Sequence, residues 1–328
     1  MSVVIVGAGP AGSAAAILLA RAGVPTCLVE GRKGTSKRPG ESLHPGVEPI
    51  FERLGVRDRV QASGFRRHLG HWVSSGTASR FHAFGGPKTN PWRGFQAPAA
   101  VLDQLLLDQA LAEGAGRIAS WARRPLLDGQ RVVGIETSDG GDIPASWLID
   151  ASGGGHWLGG QLRLRRRIMS PRLNATYGYQ SLDDEASDGQ PTLCCLREGW
   201  RWQAPLGDGR TAWVNLDLSE NGHADAQSQG VRANVTWRRQ INLAGPGFLI
   251  AGDAAGVLDP ASSHGVLRAL MSGMMAAQTV LALIRQTENS DQLCGAYAGW
   301  LGGWFDHDAN SLAGFYKAPP FYCHWANG

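Results

Sequence analysis

Val3-Val4-Ile5-Val6-Gly7-Ala8-Gly9-Pro10-Ala11-Gly12 stands at the head of the chain and decides how the rest is read. Four consecutive β-branched residues predict a short buried strand, and the alanine- and leucine-rich run from Ala14 to Ala22, closed by Gly23, predicts a helix. Thr26 to Glu30 then returns as a second strand, so the first thirty residues make one β-α-β unit with parallel strands. G-x-G-x-x-G placed between strand and helix is the arrangement that cradles a dinucleotide. Gly7 permits the tight turn, Gly9 lets a pyrophosphate approach the backbone, and Gly12 allows close packing of helix on strand. Pro10 and Ala11 open a helix whose N-terminus adds partial positive charge. Glu30, at the end of the second strand, can accept from ribose hydroxyls, with Gly31 and Arg32 on the adenosine side.

Outward from this unit, the pattern stays α/β. Pro45 to Leu54 and Val101 to Glu113 have helical spacing of apolar residues, each closed by a glycine, Gly55 and Gly114. Arg131 to Thr137 and Ile143 to Ile149 read as hairpin strands around Asp139 to Asp142, with Trp147 to Asp150 re-entering the central sheet. From about Arg167 to Gln240 the pattern turns β-like, with Trp200, Trp202 and Trp213 in short strands, and Leu218 to Val231 reads as a mobile loop. Gly247 to Ile250 returns to the first fold, and Gly265 to Arg285 and Asp291 to Lys317 are the last two helices. The expected division is 1–166 for a dinucleotide domain with inserted segments, 167–240 for a β-rich lobe, and 241–328 for the return with C-terminal helices.

Composition narrows the classes. A charge of +3, from 31 basic and 28 acidic residues, gives no field of the kind that gathers nucleic acid. Five cysteines without a C-x-x-C offer neither a disulfide framework nor a zinc site, so no metal is expected and a reducing cytoplasm fits. No uninterrupted apolar run approaches the roughly 18 residues that span a bilayer, which argues against membrane insertion. Forty-five glycines suit a backbone that repeatedly approaches a ligand, and twelve tryptophans serve either as core or as aromatic walls.

Phe248-Leu249-Ile250-Ala251-Gly252-Asp253-Ala254-Ala255, followed by Asp259-Pro260 and Ser262-Ser263-His264-Gly265, resembles the Gly-Asp segment of flavin-dependent monooxygenases and halogenases. Pro39-Gly40-Glu41-Ser42, Asp150-Ala151-Ser152-Gly153 and Gly199-Trp200-Arg201-Trp202-Gln203-Ala204-Pro205 resemble the P-G-E-S, D-A-S-G and G-W-x-W-x-I-P segments of tryptophan-halogenase-like flavoproteins. That frame is shared by phenolic and pyrrole halogenases, geranylgeranyl reductases, and flavoproteins that hydroxylate a peptide tryptophan to mature a quinone cofactor. The resemblance implies a Rossmann-type, glutathione-reductase-like FAD-binding domain with an integrated β-rich substrate lobe and C-terminal helices. It places Gly252 and Asp253 on the ribityl chain, Gly265, Val266 and Leu267 at the flavin N1 and O2 edge, and Glu41, Ser42 and Pro260 among the FAD contacts.

Departures from that frame guide the choice of reaction. Gly64-Phe65-Arg66-Arg67-His68-Leu69-Gly70 has His68 where the halogenases carry the lysine that handles hypohalous acid, and an imidazole cannot form the same chloramine. Relatives carry an arginine about four residues before Asp103, where this chain has Ala99, so weakened FAD retention is expected. His264, in the turn expected beneath the flavin, and His68 are the catalytic candidates. Trp200 and Trp202, alternating on one strand, face the same side and are candidates for the substrate wall. His307 and vicinal Cys194-Cys195 read as structural.

The expected function is an FAD-dependent monooxygenase acting through a C4a-hydroperoxyflavin on an aromatic substrate, indole or tryptophan, free or in a peptide. It would use molecular oxygen, with NAD(P)H or a separate flavin reductase as electron source. The alternatives are a flavin-dependent halogenase, a reductase of isoprenoid double bonds, and a non-catalytic flavin-binding partner.

Overall fold

The structure is a computed structural model that describes residues 1–32, 41–181, 188–196, 198–218, 230–286 and 289–327. Pro39 and Gly40 of the P-G-E-S segment, and residues 219–229 of the expected loop, lie outside the described residues.

Strand β1 (Val3–Val6) is buried along its whole length because it is the fourth of six strands in the central sheet. It pairs in parallel with β2 (Thr26–Val29) on one side and with Trp147–Asp150 on the other, with Val3 opposite both Thr26 and Trp147. Gly116–Ile118 extends the sheet beyond β2, and Phe248–Ile250 extends it beyond Trp147–Asp150, so chain from both ends of the sequence builds one layer. The 143–149 run splits: Asp142–Pro144 closes a three-stranded sheet with Arg131–Thr137 and Ala122–Asp128, while Trp147–Asp150 crosses to the central sheet.

Helix α1 (Pro10–Arg21) begins four residues earlier than its alanine run suggests, with Pro10 in the first turn, where its missing N–H costs nothing. Its buried face is nearly all small residues, from Ala11 to Ala16, because it is packed from both sides. A Cβ on Gly273 of the Gly265–Arg285 helix would fall 2.1 Å from the Ala11 carbonyl oxygen. The Gly265–Arg285 helix is long and apolar enough to cross a membrane by length and composition, although Arg268, Ser272, Gln278 and Thr279 interrupt its apolar run. In this structure 56% of its apolar window is buried, much of it against α1.

A seven-stranded sheet forms the second body. Its order is Val231–Asn234, Asn174–Ser181, Arg210–Asp217, Gly199–Pro205, Thr192–Leu196, Gly70–Ser75 and Ala78–Ala83. The last two come from far earlier in the chain than the 167–240 lobe, joined by a parallel pairing of Gly70–Ser75 with Thr192–Leu196. Beneath this sheet, Trp200, Trp237, Phe305, Tyr316 and Phe321 form a separate core against the Ser290–Lys317 helix. Some glycines serve close backbone packing: a Cβ on Gly199 of this sheet would fall 2.0 Å from the Leu216 carbonyl oxygen, and one on Gly247, ahead of the Phe248–Ile250 strand of the central sheet, 2.1 Å from that of Val132.

Candidate functional site

The three glycines of the first turn divide by role. Gly7 has φ +99°, the region L side chains avoid, and a Cβ there would sit 2.4 Å from the Ala151 carbonyl oxygen of the D-A-S-G segment. A Cβ on Gly12 would sit 1.9 Å from the Gly7 carbonyl oxygen, so both positions are fixed by the protein's own packing. Gly9 differs. As the N-cap of α1 it has φ −73°, open to any residue, and nothing lies within 4 Å of where its Cβ would be. No side chain caps α1, so its first-turn N–H groups face that open space. A glycine that the fold does not need, at an uncapped helix N-terminus, fits the close approach of an anionic dinucleotide. The residues present therefore suit an FAD pyrophosphate.

Around this turn, Pro10 and Ala11 are buried, and Glu30 reaches back so that its carboxylate accepts from the Ala8 N–H at 3.2 Å and the Arg32 N–H at 2.8 Å. Gly31 lies beneath the indole of Trp121, 2.3 Å from the position of a Cβ. Trp121 is 58% exposed, an aromatic flank at the end of β2 that no sequence motif marks. Ala99 is completely buried at the first turn of the Ala99–Ala112 helix, a position closed to an arginine side chain as the protein stands.

The Gly-Asp segment is braced from behind. Gly252–Ala254 form one 3-10 turn, and the buried ring of His156 meets the Ala254 carbonyl at 2.7 Å through Nδ1 while its Nε2 accepts from Arg238 Nε at 2.9 Å. Desolvation and the neighbouring Arg238 hold His156 below its ordinary pKa, consistent with a neutral ring between donor and acceptor. Asp150 of D-A-S-G is also structural: it is buried and accepts from the N–H groups of Ser152 and Leu158, both at 3.0 Å. Asp259 accepts from Trp237 Nε1 at 2.7 Å and from the Ala261 N–H at 2.9 Å, and burial pushes its pKa up to about 6. It anchors the turn that carries exposed Pro260 toward His264.

His264 is the N-cap of the Gly265–Arg285 helix, and Gly265 has nothing within 4 Å of its Cβ position, so a second helix N-terminus is open, with Val266 buried and Leu267 half-buried behind it. The His264 Nδ1 lies 3.0 Å from Asp308 Oδ1, while the other oxygen of that carboxylate accepts from Arg268 Nη1 at 3.3 Å. Asp308 and Arg268 side chains are each 3% exposed and that of His264 is 40%. Sequence reasoning gave Asp308 no role, since it is one of three acids on a long helix and its partner lies 44 residues away. With Nδ1–H donating to a fixed carboxylate, His264 keeps Nε2 as a proton acceptor.

Four motifs distant in sequence meet beside this dyad. Trp202 Nε1 donates to Ser42 Oγ at 3.1 Å, and Ser42 Oγ donates to Gln96 at 2.7 Å. The His44 ring stands 5.1 Å from Phe84, which stands 5.1 Å from His68, and His44 lies close enough to His264 for their charges to repel. His71 packs 5.7 Å from Trp202 and stacks on His82 at 5.6 Å. Trp200 does not line this space: it is 2% exposed, its Nε1 donating to Tyr316 Oη at 2.8 Å in the second core. The strand repeat puts Trp200 and Trp202 on one face, but Tyr316 takes the first and leaves only the second beside Ser42. The backbone of Glu41 pairs with Ala97 in a small sheet.

His68 is 2% exposed, and its Nδ1 lies 2.9 Å from the Gly70 carbonyl oxygen. Desolvation is the main cause that lowers its pKa. The neighbouring Arg67 is engaged with Glu48 at 3.0 Å and stacked 3.9 Å over Phe95, so it cannot stand in for a free amine. Cys194 and Cys195 are free strand residues, and desolvation raises the Cys195 thiol, which fits a structural role.

The histidine cluster has a thermodynamic consequence. Burial, with repulsion from His82 and His68, pushes His71 down to about 4 from its ordinary 6.5. The unfolded chain then takes up a proton that the folded chain refuses, so stability is lost as pH falls through the window from 6.5 to 4. In urea titrations at pH 7 and pH 5, His71→Gln is expected to lose less stability on acidification than the parent. Equal losses would show that His71 is not held neutral.

Comparison with known proteins gives a consistent picture. Residues 1–172 match a family model described as an FAD binding domain. The tryptophan 2-halogenase of Chondromyces crocatus is 30% identical over 356 aligned residues, covering 96% of this chain and 67% of that protein. Against the flavin-dependent halogenase armH5 of Armillaria mellea the identity is 27%, and the chain spans 65% of that relative's length. Among solved structures, the flavin-dependent brominase Bmp2 superposes with a TM-score of 0.86 at 21% identity, over 98% of this chain and 88% of that one. The peptidyl tryptophan dihydroxylase QhpG superposes with a TM-score of 0.75 at 21% identity, over 96% of this chain and 74% of that one.

Proposed function

The chain belongs to the FAD-dependent, tryptophan-halogenase-like flavoproteins, and from that membership we propose that it is an oxidoreductase delivering oxygen to an electron-rich aromatic ring. The ring is an indole, free or as a tryptophan side chain of a peptide. Gly9, Glu30 and Asp253 would hold FAD, with Gly265 and the His264–Asp308 dyad serving its reactive end. Bound and reduced, the flavin supplies the activation of dioxygen.

This chain's own residues do the rest. The N-terminus of the Gly265–Arg285 helix stabilises negative charge that develops at its open end. His264 Nε2 accepts the proton that the ring must lose as it rearomatises, and Asp308 steadies the resulting imidazolium, which makes Asp308 a positioning residue. Trp202, held by Ser42, orients the substrate ring, and buried His68 with half-buried Phe84 and His71 keep water out.

The observation that carries oxygen over halogen is the burial of neutral His68 where halogenases have a reactive lysine. A second reading, halogenation, is favoured by the relatives themselves, since the tryptophan 2-halogenase aligns over nearly all of this chain. Turnover of tryptophan and of a tryptophan-containing peptide, with FAD, a flavin reductase and oxygen in high bromide, distinguishes the two. The expected product gains oxygen and shows no bromine isotope pattern, and His68→Lys does not create a brominase. A brominated product from the unmodified protein would establish the second reading instead.

A further inference from the structure

Next to the Gly-Asp turn, linked to it through Arg238 and His156, a groove of about 790 Å³ is lined by Arg166, Arg172 and Arg238 together with Asn234 and Thr236. Its volume falls within the range of about 300–1,000 Å³ usual for small-molecule sites. Arg166 belongs to a dense run, since Arg163, Arg165, Arg166, Arg167 and Arg172 fall within ten residues that contain no acid. Among the described residues none of these five forms an ion pair with a carboxylate. The pairing of Arg166–Ile168 with Arg238–Gln240 brings the run onto the strand that carries Arg238.

Arg238 is 9% exposed, and its hydrogen bonds go to neutral groups: His156 Nε2, the Thr236 carbonyl at 2.8 Å and the Gly154 carbonyl at 3.0 Å. A desolvated guanidinium with the Arg166 cation beside it, and the Asp253 carboxylate acting on it only from beyond ion-pair distance, is an arrangement that a bound anion relieves. Neutral donors complete the wall. Asn234 Oδ1 is taken by the Thr236 N–H, leaving its amide NH2 to donate, and the Thr236 hydroxyl accepts from the Leu173 N–H, leaving its proton to donate. Leu164 and Ile168 add an apolar flank, Ile168 being 58% exposed.

We propose that this groove binds an organic phosphate ester, its phosphate held by Arg166, Arg172 and Arg238 and its less polar body lying along Leu164 and Ile168. Guanidinium forks match phosphate geometry, and the apolar flank suits a ligand larger than the free ion. Through Arg238 and His156 the occupied groove touches the backbone of Ala254, so the ligand lies next to the Gly-Asp turn without entering the space before Gly9. Two sources share this chemistry: the 2′-phosphate of a nicotinamide electron donor, and the phosphate of a pantetheine arm that carries the substrate. The site does not depend on which modification the ring receives.

Calorimetric titration of the FAD-loaded protein with NADPH, NADH, 4′-phosphopantetheine and pantetheine tests this. Binding of NADPH but not NADH assigns the donor, and binding of 4′-phosphopantetheine but not pantetheine assigns the carried substrate. Either affinity is expected to fall about ten-fold or more in Arg166→Glu, a substitution at an exposed residue, with FAD content unchanged. The proposal is overturned if no phosphate ester binds, if Arg166→Glu and Arg172→Glu leave the affinities unchanged, or if added FAD displaces the ligand. A glutamate-rich peptide binding as tightly as the phosphate esters would likewise overturn it, by assigning the groove to an acidic protein. The readout is binding, so failure of oxygen transfer would leave this result interpretable.

Discussion

Gly9→Val yields a folded protein that no longer holds FAD. The substituted side chain meets no protein atom within 4 Å at its Cβ, and the backbone at φ −73° accepts valine, so the chain's own packing is undisturbed. What it occupies is the space through which a pyrophosphate reaches the first-turn N–H groups of α1. We expect FAD affinity to drop at least about 100-fold, roughly 3 kcal/mol, while the apo protein melts as the parent apo protein does. Gly12→Ala is the contrasting control: its Cβ would fall 1.9 Å from the Gly7 carbonyl oxygen, so it should lower the melting temperature with or without cofactor. Differential scanning fluorimetry with flavin fluorescence reads both quantities. Stoichiometric FAD in Gly9→Val would remove the cofactor from the α1 N-terminus.

Asp308→Ala should be the most destabilising single change near the dyad. It leaves Arg268, whose side chain is 3% exposed, with a buried charge and, among the described residues, the Phe305 ring 5.6 Å away for compensation. Breaking a buried pair from one side costs about 3–5 kcal/mol, whereas removing both charges costs far less. Arg268→Met combined with Asp308→Asn should therefore recover most of the loss. Denaturant midpoints for the single and double variants measure this. His264→Gln separates position from chemistry, because it leaves the buried pair intact: it should slow turnover with little effect on the midpoint. A double variant no more stable than Asp308→Ala would show that the charge pair is not what holds this region.

The parts of the fold legible in the sequence are those whose signals are local. The β-α-β unit is punctuated by Gly7, Gly12 and Gly23 at short range, and the Gly265–Arg285 helix has the same limits in the sequence pattern and in the structure. The Gly70–Ser75 and Ala78–Ala83 strands were not legible as part of the substrate sheet, because they join it through a parallel pairing with residues about 120 positions later. Nothing in the local sequence of either strand specifies that register. The same limit separates Trp200 from Trp202. Strand periodicity assigns them one face, but the Tyr316 hydroxyl that takes Trp200 into the core comes from a helix 116 residues away. His44, His71 and Asp308 carry no motif and acquire meaning only from what the fold places beside them.

The origin of the atom added to the ring tests the account most directly. Turnover of a tryptophan-containing peptide under isotopically heavy oxygen gas, in ordinary water containing bromide, is followed by mass spectrometry of the product. The account predicts that the added oxygen is heavy, since oxygen transfer by a flavoenzyme passes on an atom of dioxygen, and that no bromine pattern accompanies it. Product oxygen drawn only from water, or a brominated ring, would contradict it.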